Sequence, residues 1–245
     1  MRLDRIIAVR NDKTVYRDGE RCLKVFSEAY SASRVLREAQ LLASVAEVGL
    51  PVPQLLSVSL WDGKWTIVTE YVAGDAMRRK MDIDPPEQRV NYLASFVRIG
   101  EQIHKTVCPA LPSLSERAAS AIERAALPEE TKARLRERMA KTELTGDFVC
   151  HGDFDPTNVI LTGGDGYRIL DWSYATHGNP AADAANTYLL LCHSDGQAFA
   201  DAYLARYADT AGITDVRAYL PLAAVIRYVH ANADARAFLE PFFAF

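Results

Sequence analysis

Two carboxylates and an amide stand in close order in the run His151-Gly152-Asp153-Phe154-Asp155-Pro156-Thr157-Asn158, and Ile169-Leu170-Asp171-Trp172 follows after one hairpin's length. Moving a phosphoryl group off a nucleotide asks little covalent chemistry of a protein. It asks for positioning, for metal ions on the phosphate oxygens and for one group that receives the acceptor's proton. Asp153, in the frame H-x-D-x-x-x-x-N, has the chemistry of that base. Asn158 offers a neutral oxygen ligand and Asp171 a charged one, the donors that hard Mg²⁺ takes together with phosphate and water. Taken singly, Asp153, Asp155 and Asn158 are also good turn residues, and Asp171 could cap a helix. That reading explains each residue but not their joint spacing.

Something must carry Asp171 back beside Asn158. Val159-Ile160-Leu161-Thr162 and Tyr167-Arg168-Ile169-Leu170 read as two short strands around the turn Gly163-Gly164-Asp165-Gly166. Near the start of the chain, Arg5 to Arg10, Lys13 to Arg17 and Glu20 to Phe26 read as three strands joined by the tight-turn pairs Asn11-Asp12 and Asp18-Gly19. Alternation in the third puts Cys22, Lys24 and Phe26 on one face and Leu23 and Val25 on the other. A lysine within a half-apolar strand is costly unless an anion meets it. The next segment has Ala32, Val35, Leu36, Ala39, Leu42, Ala43 and Ala46 at helical spacing, with Glu38 at the edge of the stripe. Lys24 could instead snorkel from an edge strand, and Glu38 could be a solvated helix charge.

The sequence H-G-D-F-x-P-x-N, then I-L-D-W-S-Y-A, then G-N-P-A-A-D, is similar to the aminoglycoside phosphotransferase and choline kinase family, whose fold is that of protein kinases. The resemblance implies an α+β, two-lobed protein-kinase-like chain: a small antiparallel-sheet lobe with one helix, and a mainly helical lobe. It implies Asp153 as catalytic base and Asn158 and Asp171 as magnesium ligands. Asp183, in Gly178-Asn179-Pro180-Ala181-Ala182-Asp183, would buttress the catalytic loop, a role compatible with a plain carboxylate at a helix N-terminus. Lys24 and Glu38 look like the strand lysine and helix glutamate that pair over the nucleotide's phosphates. Trp65 to Gly74 resembles the last strand and hinge of a kinase small lobe, where the backbone at Glu70 and Val72 would bond the adenine edge. A buried strand followed by a turn is the alternative there. Two departures stand out: Gly152 occupies the place where protein kinases carry Arg, and the loop Arg10-Asn11-Asp12-Lys13-Thr14 has no glycine where they have a glycine-rich phosphate loop.

The implied activity is transfer of a γ-phosphate from ATP, or GTP, with Mg²⁺, to the hydroxyl of a small molecule such as an aminoglycoside, a choline-like alcohol or another metabolite. Only residues 172–182, eleven in all, separate Asp171 from Asp183, too few for an activation segment that docks a peptide. A protein kinase of reduced form and a nucleotide-binding pseudokinase are the alternatives, the second opposed by the intact Lys24, Asp153, Asn158 and Asp171. The acceptor itself is open. Asp155, Asp195, Asp201 and Glu240 could meet an aminated substrate, and Trp172, Tyr174, Tyr188 and Tyr203 could line an aromatic wall for a quaternary amine.

At 245 residues and 49% hydrophobic, the chain can bury a sizeable core. The expected division is 1–74 for the nucleotide lobe and hinge and 75–245 for the helical lobe. Ser113-Leu114-Ser115-Glu116 has a capping-box pattern, Pro128-Glu129-Glu130 opens a further helix, and His104 falls late in an apolar-striped helix from about Asn91 to Lys105, as a core or subpocket residue. A net charge of −4 leaves no polyanion footprint, so nucleic acid is not an expected partner. Four scattered cysteines without metal spacing fit reduced thiols, and no apolar stretch has membrane-spanning length or the form of a signal peptide. The expected location is the cytoplasm, without membrane attachment. No oligomeric state is implied.

Overall fold

The computed structural model describes residues 5–9 and 12–243. Residues 5–83 form β1 (Arg5–Val9), β2 (Lys13–Asp18), β3 (Arg21–Phe26), α1 (Ala32–Glu47), β4 (Leu55–Trp61), β5 (Lys64–Glu70), β6 (Asp75–Ala76) and α2 (Met77–Ile83). The stretch 84–155 forms α3 (Arg89–Lys105), α4 (Leu114–Arg124), α5 (Glu129–Ala140) and β7 (Phe148–Cys150). The hairpin β8 (Val159–Gly163) and β9 (Gly166–Ile169) follows, and the rest holds β10 (Thr176–Gly178), α6 (Pro180–Asp195), α7 (Gln197–Ala211), α8 (Leu220–Tyr228) and α9 (Ala233–Leu239). This is the α+β architecture expected, a sheet-bearing first part and a helical second part. Arg10 and Asn11, the start of the glycine-free loop, lie outside the described residues.

Two compact units divide the chain, 1–83 with 156–173, and 84–155 with 174–245. The hairpin expected within the helical lobe after Gly74 thus groups with the first unit. Its strands supply the reason: β8 pairs β6, Asp75 facing Leu161, in a three-stranded sheet of order β6-β8-β9. Gly74 makes that pairing sterically feasible, because it sits at φ 153° and a Cβ there would come within 2.1 Å of the Leu161 carbonyl oxygen.

The first unit also holds a five-stranded antiparallel sheet of order β1-β2-β3-β5-β4. Each face of β3 feeds a separate apolar cluster, as its alternation requires. Phe26 packs with Val35, Ala39 and Ile67 under α1, and Leu23 and Val25 pack with Val68 on the other side. Helix α1 is rotated relative to the stripe expected from its apolar residues. Leu36 is 49% exposed, Leu41 and Val45 are buried, and Glu38 lies within the buried stripe rather than at its edge.

In the second unit the helical expectations hold. Ser113 Oγ accepts from the Glu116 N–H at the start of α4, and the Asn179 side chain accepts from Ala181 N to cap α6. Phe154 is fully buried, its ring stacked on Phe96 of α3 at 4.2 Å between centroids. None of the described helices is long and apolar enough to cross a membrane.

Candidate active site

In the first unit four charged side chains converge. Helix α1 lies on the β3 face that carries Phe26, so the packing that buries Val35 and Ala39 also brings Glu38 over Lys24. Lys24 donates to Glu38 Oε1 in a close ion pair, and its Nζ stands 3.5 Å from Asp171 Oδ1. Burial works against the charge on Lys24, but Asp171 and Glu38 outweigh it and hold the ammonium above the ordinary lysine range. Lys13, which opens β2, joins them, 3.6 Å from Asp171 Oδ2 and 3.9 Å from Glu38 Oε1. Lys13 was not among the residues expected here. The signal was nonetheless present, since Lys13 opposes Phe26 and Val15 opposes Lys24 across the β2–β3 hairpin, which puts both lysines on one face.

The hairpin β8–β9 does what its spacing predicted. Val159 pairs with Ile169, and the Leu170 N–H donates to the Asn158 carbonyl oxygen at 2.8 Å, so Asn158 and Asp171 lie side by side along paired backbone. Asp171 itself sits at φ 55°, a conformation few non-glycine residues hold unless the surroundings impose it. Ser173 Oγ donates to its Oδ1 at 3.0 Å. The donors fit Mg²⁺ in kind: amide and carboxylate oxygens without sulfur or imidazole. Both lysine contacts to Asp171 are longer than hydrogen bonds. Among the described residues no group of three or more His, Cys, Asp or Glu is arranged to hold a metal. At the end of β5, the Glu70 N–H donates to Gln54 O and the Tyr71 N–H to Glu20 O, which fixes the backbone that leads into Val72.

The second unit carries Asp153. Asp183, 3% exposed, accepts the His151 N–H at Oδ2 and the Gly152 N–H at Oδ1, both at 2.8 Å. His104 Nε2 lies 3.0 Å from Asp183 Oδ2, and its Nδ1 lies 2.6 Å from the Tyr207 hydroxyl. The expected core histidine is thus the link between α7 and the carboxylate that holds the backbone of His151 and Gly152. Burial opposes the Asp183 charge, yet the His104 hydrogen bond, the His104 and His151 charges and the Gly152 N–H together keep its carboxyl below the usual range. Gly152 is at φ 77°, and a Cβ there would stand 2.3 Å from the Tyr174 carbonyl oxygen, which Arg117 grips from α4. Glycine replaces the arginine of protein kinases at this point because no side chain fits.

Asp153 is held from three directions. Its N–H donates to His151 Nδ1 at 3.2 Å, and the following carbonyl, on Phe154, accepts from Thr187 Oγ1 at 3.1 Å. Its Oδ1 accepts from Arg227 Nη1 of α8 at 3.2 Å, and the same nitrogen donates to Asn186 Oδ1 at 3.2 Å. No pattern in the sequence announced Arg227, which stands in an otherwise apolar helix 74 positions from Asp153. A cavity of about 240 Å³ opens beside this pair, bounded by α6, α8 and α9.

Of the residues expected to greet a cationic acceptor, Asp195, Asp201, Glu240 and three of the four aromatic ones are elsewhere or engaged. Asp195 pairs with Arg89, and Asp201 pairs with Arg217 and accepts the Tyr188 hydroxyl. Glu240 lies 3.5 Å from the Tyr228 hydroxyl, Trp172 and Tyr203 are buried, and of the four aromatic candidates the cavity is lined by Tyr174 alone.

Comparison with known proteins adds a family and a fold. The model of the phosphotransferase enzyme family matches residues 7–220. Among solved structures, an aminoglycoside-3'-phosphotransferase of type VIII is similar at 22% identity and TM-score 0.61, over 93% of this chain and 91% of that one. A choline/ethanolamine kinase family protein from Mesorhizobium loti is similar at 21% identity and TM-score 0.65, over 100% and 86%. An aminoglycoside phosphotransferase from Streptomyces rimosus, solved in complex with ADP and streptomycin, is similar at 19% identity and TM-score 0.62, over 89% and 91%. No curated protein matches the sequence.

Proposed function

Because the chain belongs to the phosphotransferase enzyme family, we propose that it moves the γ-phosphoryl group of ATP to the hydroxyl of a small molecule, with Asp153 as the base. The observation that carries this reading is the first unit's cluster, in which Lys24 is kept charged by Glu38 and Asp171. A half-buried, doubly compensated ammonium beside an oxygen-donor pair is what nucleotide phosphates require. The S. rimosus protein's complex with ADP supports a nucleotide for this chain by analogy of fold.

Lys24 would contact the phosphates, oriented by Glu38, and Lys13 would add a second cation from the strand that follows the glycine-free loop. Lysine charge in this place offsets what backbone N–H groups of a glycine-rich loop provide elsewhere. Asn158 and Asp171 would hold Mg²⁺, which neutralises charge developing on the transferred phosphoryl oxygens. The backbone at Glu70 and Val72 would bond the adenine edge. Asp153 would orient the acceptor hydroxyl and take its proton. A peptide acceptor is disfavoured by the eleven residues from 172 to 182, which are spent on a short turn, β10 and the start of α6.

Substitution of the two lysines tests the nucleotide half. Lys24→Met should lower kcat/KM for ATP roughly tenfold to hundredfold, the worth of a charge-assisted hydrogen bond, while thermal unfolding shows a folded protein. Lys13→Met should act in the same direction. Unchanged steady-state kinetics in Lys24→Met would remove the phosphate assignment.

A further inference from the structure

The cavity beside Asp153 has the wrong charge for the acceptors of the similar proteins whose names specify amines. Its polar lining is Arg227, His193 and His230 around Asp153, and the rest is largely apolar, with Leu189 and Phe238 among the walls. Among the described residues of that lining the one carboxylate is Asp153, which already faces Arg227 at 3.2 Å. A cation needs a desolvating carboxylate or an aromatic cage. On these walls the carboxylate, Asp153, is paired with Arg227, and the rings pack on one another in two couples, His230 with Tyr174 at 5.7 Å and His193 with Phe238 at 4.8 Å.

Arg227 has a further property. It donates to Asn186 as well as Asp153, and the Asn186 amide nitrogen is buried without a hydrogen-bond partner, so the group that shares Arg227 leaves a surplus donor, not a surplus acceptor. To present its hydroxyl to Asp153, an acceptor must take the place of an Arg227 N–H on Oδ1. A cationic acceptor would meet the guanidinium there and be repelled. An anionic one gives the fork of Arg227 a new partner as it leaves the base. The volume, about 240 Å³, lies below the ~300–1,000 Å³ of sites that enclose drug-sized ligands, which suits a short skeleton.

We propose, resting on the phosphotransferase reading above, that the acceptor is a small alcohol bearing an anionic group, a carboxylate or a phosphate, received by Arg227 in the cavity of α6, α8 and α9. The acceptor hydroxyl oxygen bonds to the γ-phosphorus as the bond from that phosphorus to the β,γ-bridging oxygen breaks. The hydroxyl proton goes to Asp153, and a phosphate monoester and ADP leave.

Four probe sets separate the outcomes: short hydroxy acids such as glycerate, phosphorylated polyols such as glycerol 3-phosphate, choline with ethanolamine, and kanamycin with streptomycin. Each is titrated calorimetrically into the full chain with Mg²⁺ and a non-hydrolysable ATP analogue, and assayed for acceptor-dependent ADP release with ATP. One of the anionic sets should bind and be phosphorylated, and which one identifies the anion. Arg227→Gln should raise the acceptor KM or Kd roughly tenfold to hundredfold, and Arg227→Lys should recover part of it. Thermal unfolding checks that both variants fold. The proposal falls if choline or an aminoglycoside is the better acceptor, if no anionic probe binds the wild-type protein, or if Arg227→Gln leaves anion binding unchanged. Absence of Mg²⁺-dependent binding of the ATP analogue would instead overturn the phosphotransferase reading, and the anion titrations against Arg227 would still give their own answer.

Discussion

Asp153→Asn should cut kcat by about 10²- to 10⁴-fold, the usual worth of a positioned base, and leave Mg²⁺-nucleotide binding nearly intact. The amide keeps an oxygen where Asp153 now accepts from Arg227, so the surrounding hydrogen bonds survive while the proton acceptor is lost. Asp171→Asn should give the opposite result. Its carboxylate faces Lys13 and Lys24 and is the charged member of the proposed magnesium pair, so removing the charge should leave two ammonium groups under-compensated and weaken metal binding. Calorimetric titration of Mg²⁺ and a non-hydrolysable ATP analogue into both variants, with turnover measured alongside, reads the two roles separately. Loss of nucleotide binding in Asp153→Asn, with retention in Asp171→Asn, would invert the assignment.

The largest stability effect should come from Asp183→Ala. That substitution strands the backbone N–H groups of His151 and Gly152 and the buried His104 ring. Removing one member of a buried, hydrogen-bonded pair costs about 3–5 kcal/mol, which for a chain of this size lowers Tm by roughly 6–20 °C. Asp183→Asn, which keeps one accepting oxygen, should lie between it and wild type. The pH dependence has a definite sign. The Asp183 carboxyl titrates lower in the folded state than in the unfolded one. Its stabilisation is therefore complete above the unfolded value of about 3.9 and is lost as pH falls through the folded value. The Tm gap between wild type and Asp183→Asn should narrow below about pH 4; a gap that widens on acidification would contradict the charged form.

Residues whose placement is set by local pattern were legible in the sequence. Asn158 and Asp171 are brought together by a hairpin with its own turn signal, and Lys24 stands out because a lysine in an apolar strand needs an anion. The phase of α1 was harder. Its alanines and leucines surround much of the helix, so apolar spacing alone fits more than one rotation, and only the sheet beneath selects the face that buries Leu41 and exposes Leu36. Lys13 required the hairpin register in addition to the strand pattern. Arg227 could not be read at all, and His104 only as a core or subpocket residue: their contacts are to partners 74 and 79 positions away, and no spacing rule on one helix encodes such a distance.

The grouping of the hairpin 156–173 with the first 83 residues sets a constraint on inheritance. Strand β6 is only two residues long and finds its sheet in β8, and Lys24 finds one of its two carboxylates in Asp171, just past β9. A recombination event that exchanged the first stretch of this chain with that of a relative, leaving the later hairpin behind, would oppose a foreign lysine to a native aspartate and a foreign β6 to a native β8. The heritable module is therefore discontinuous, two pieces that must diverge together although 72 residues of the other unit lie between them in the sequence.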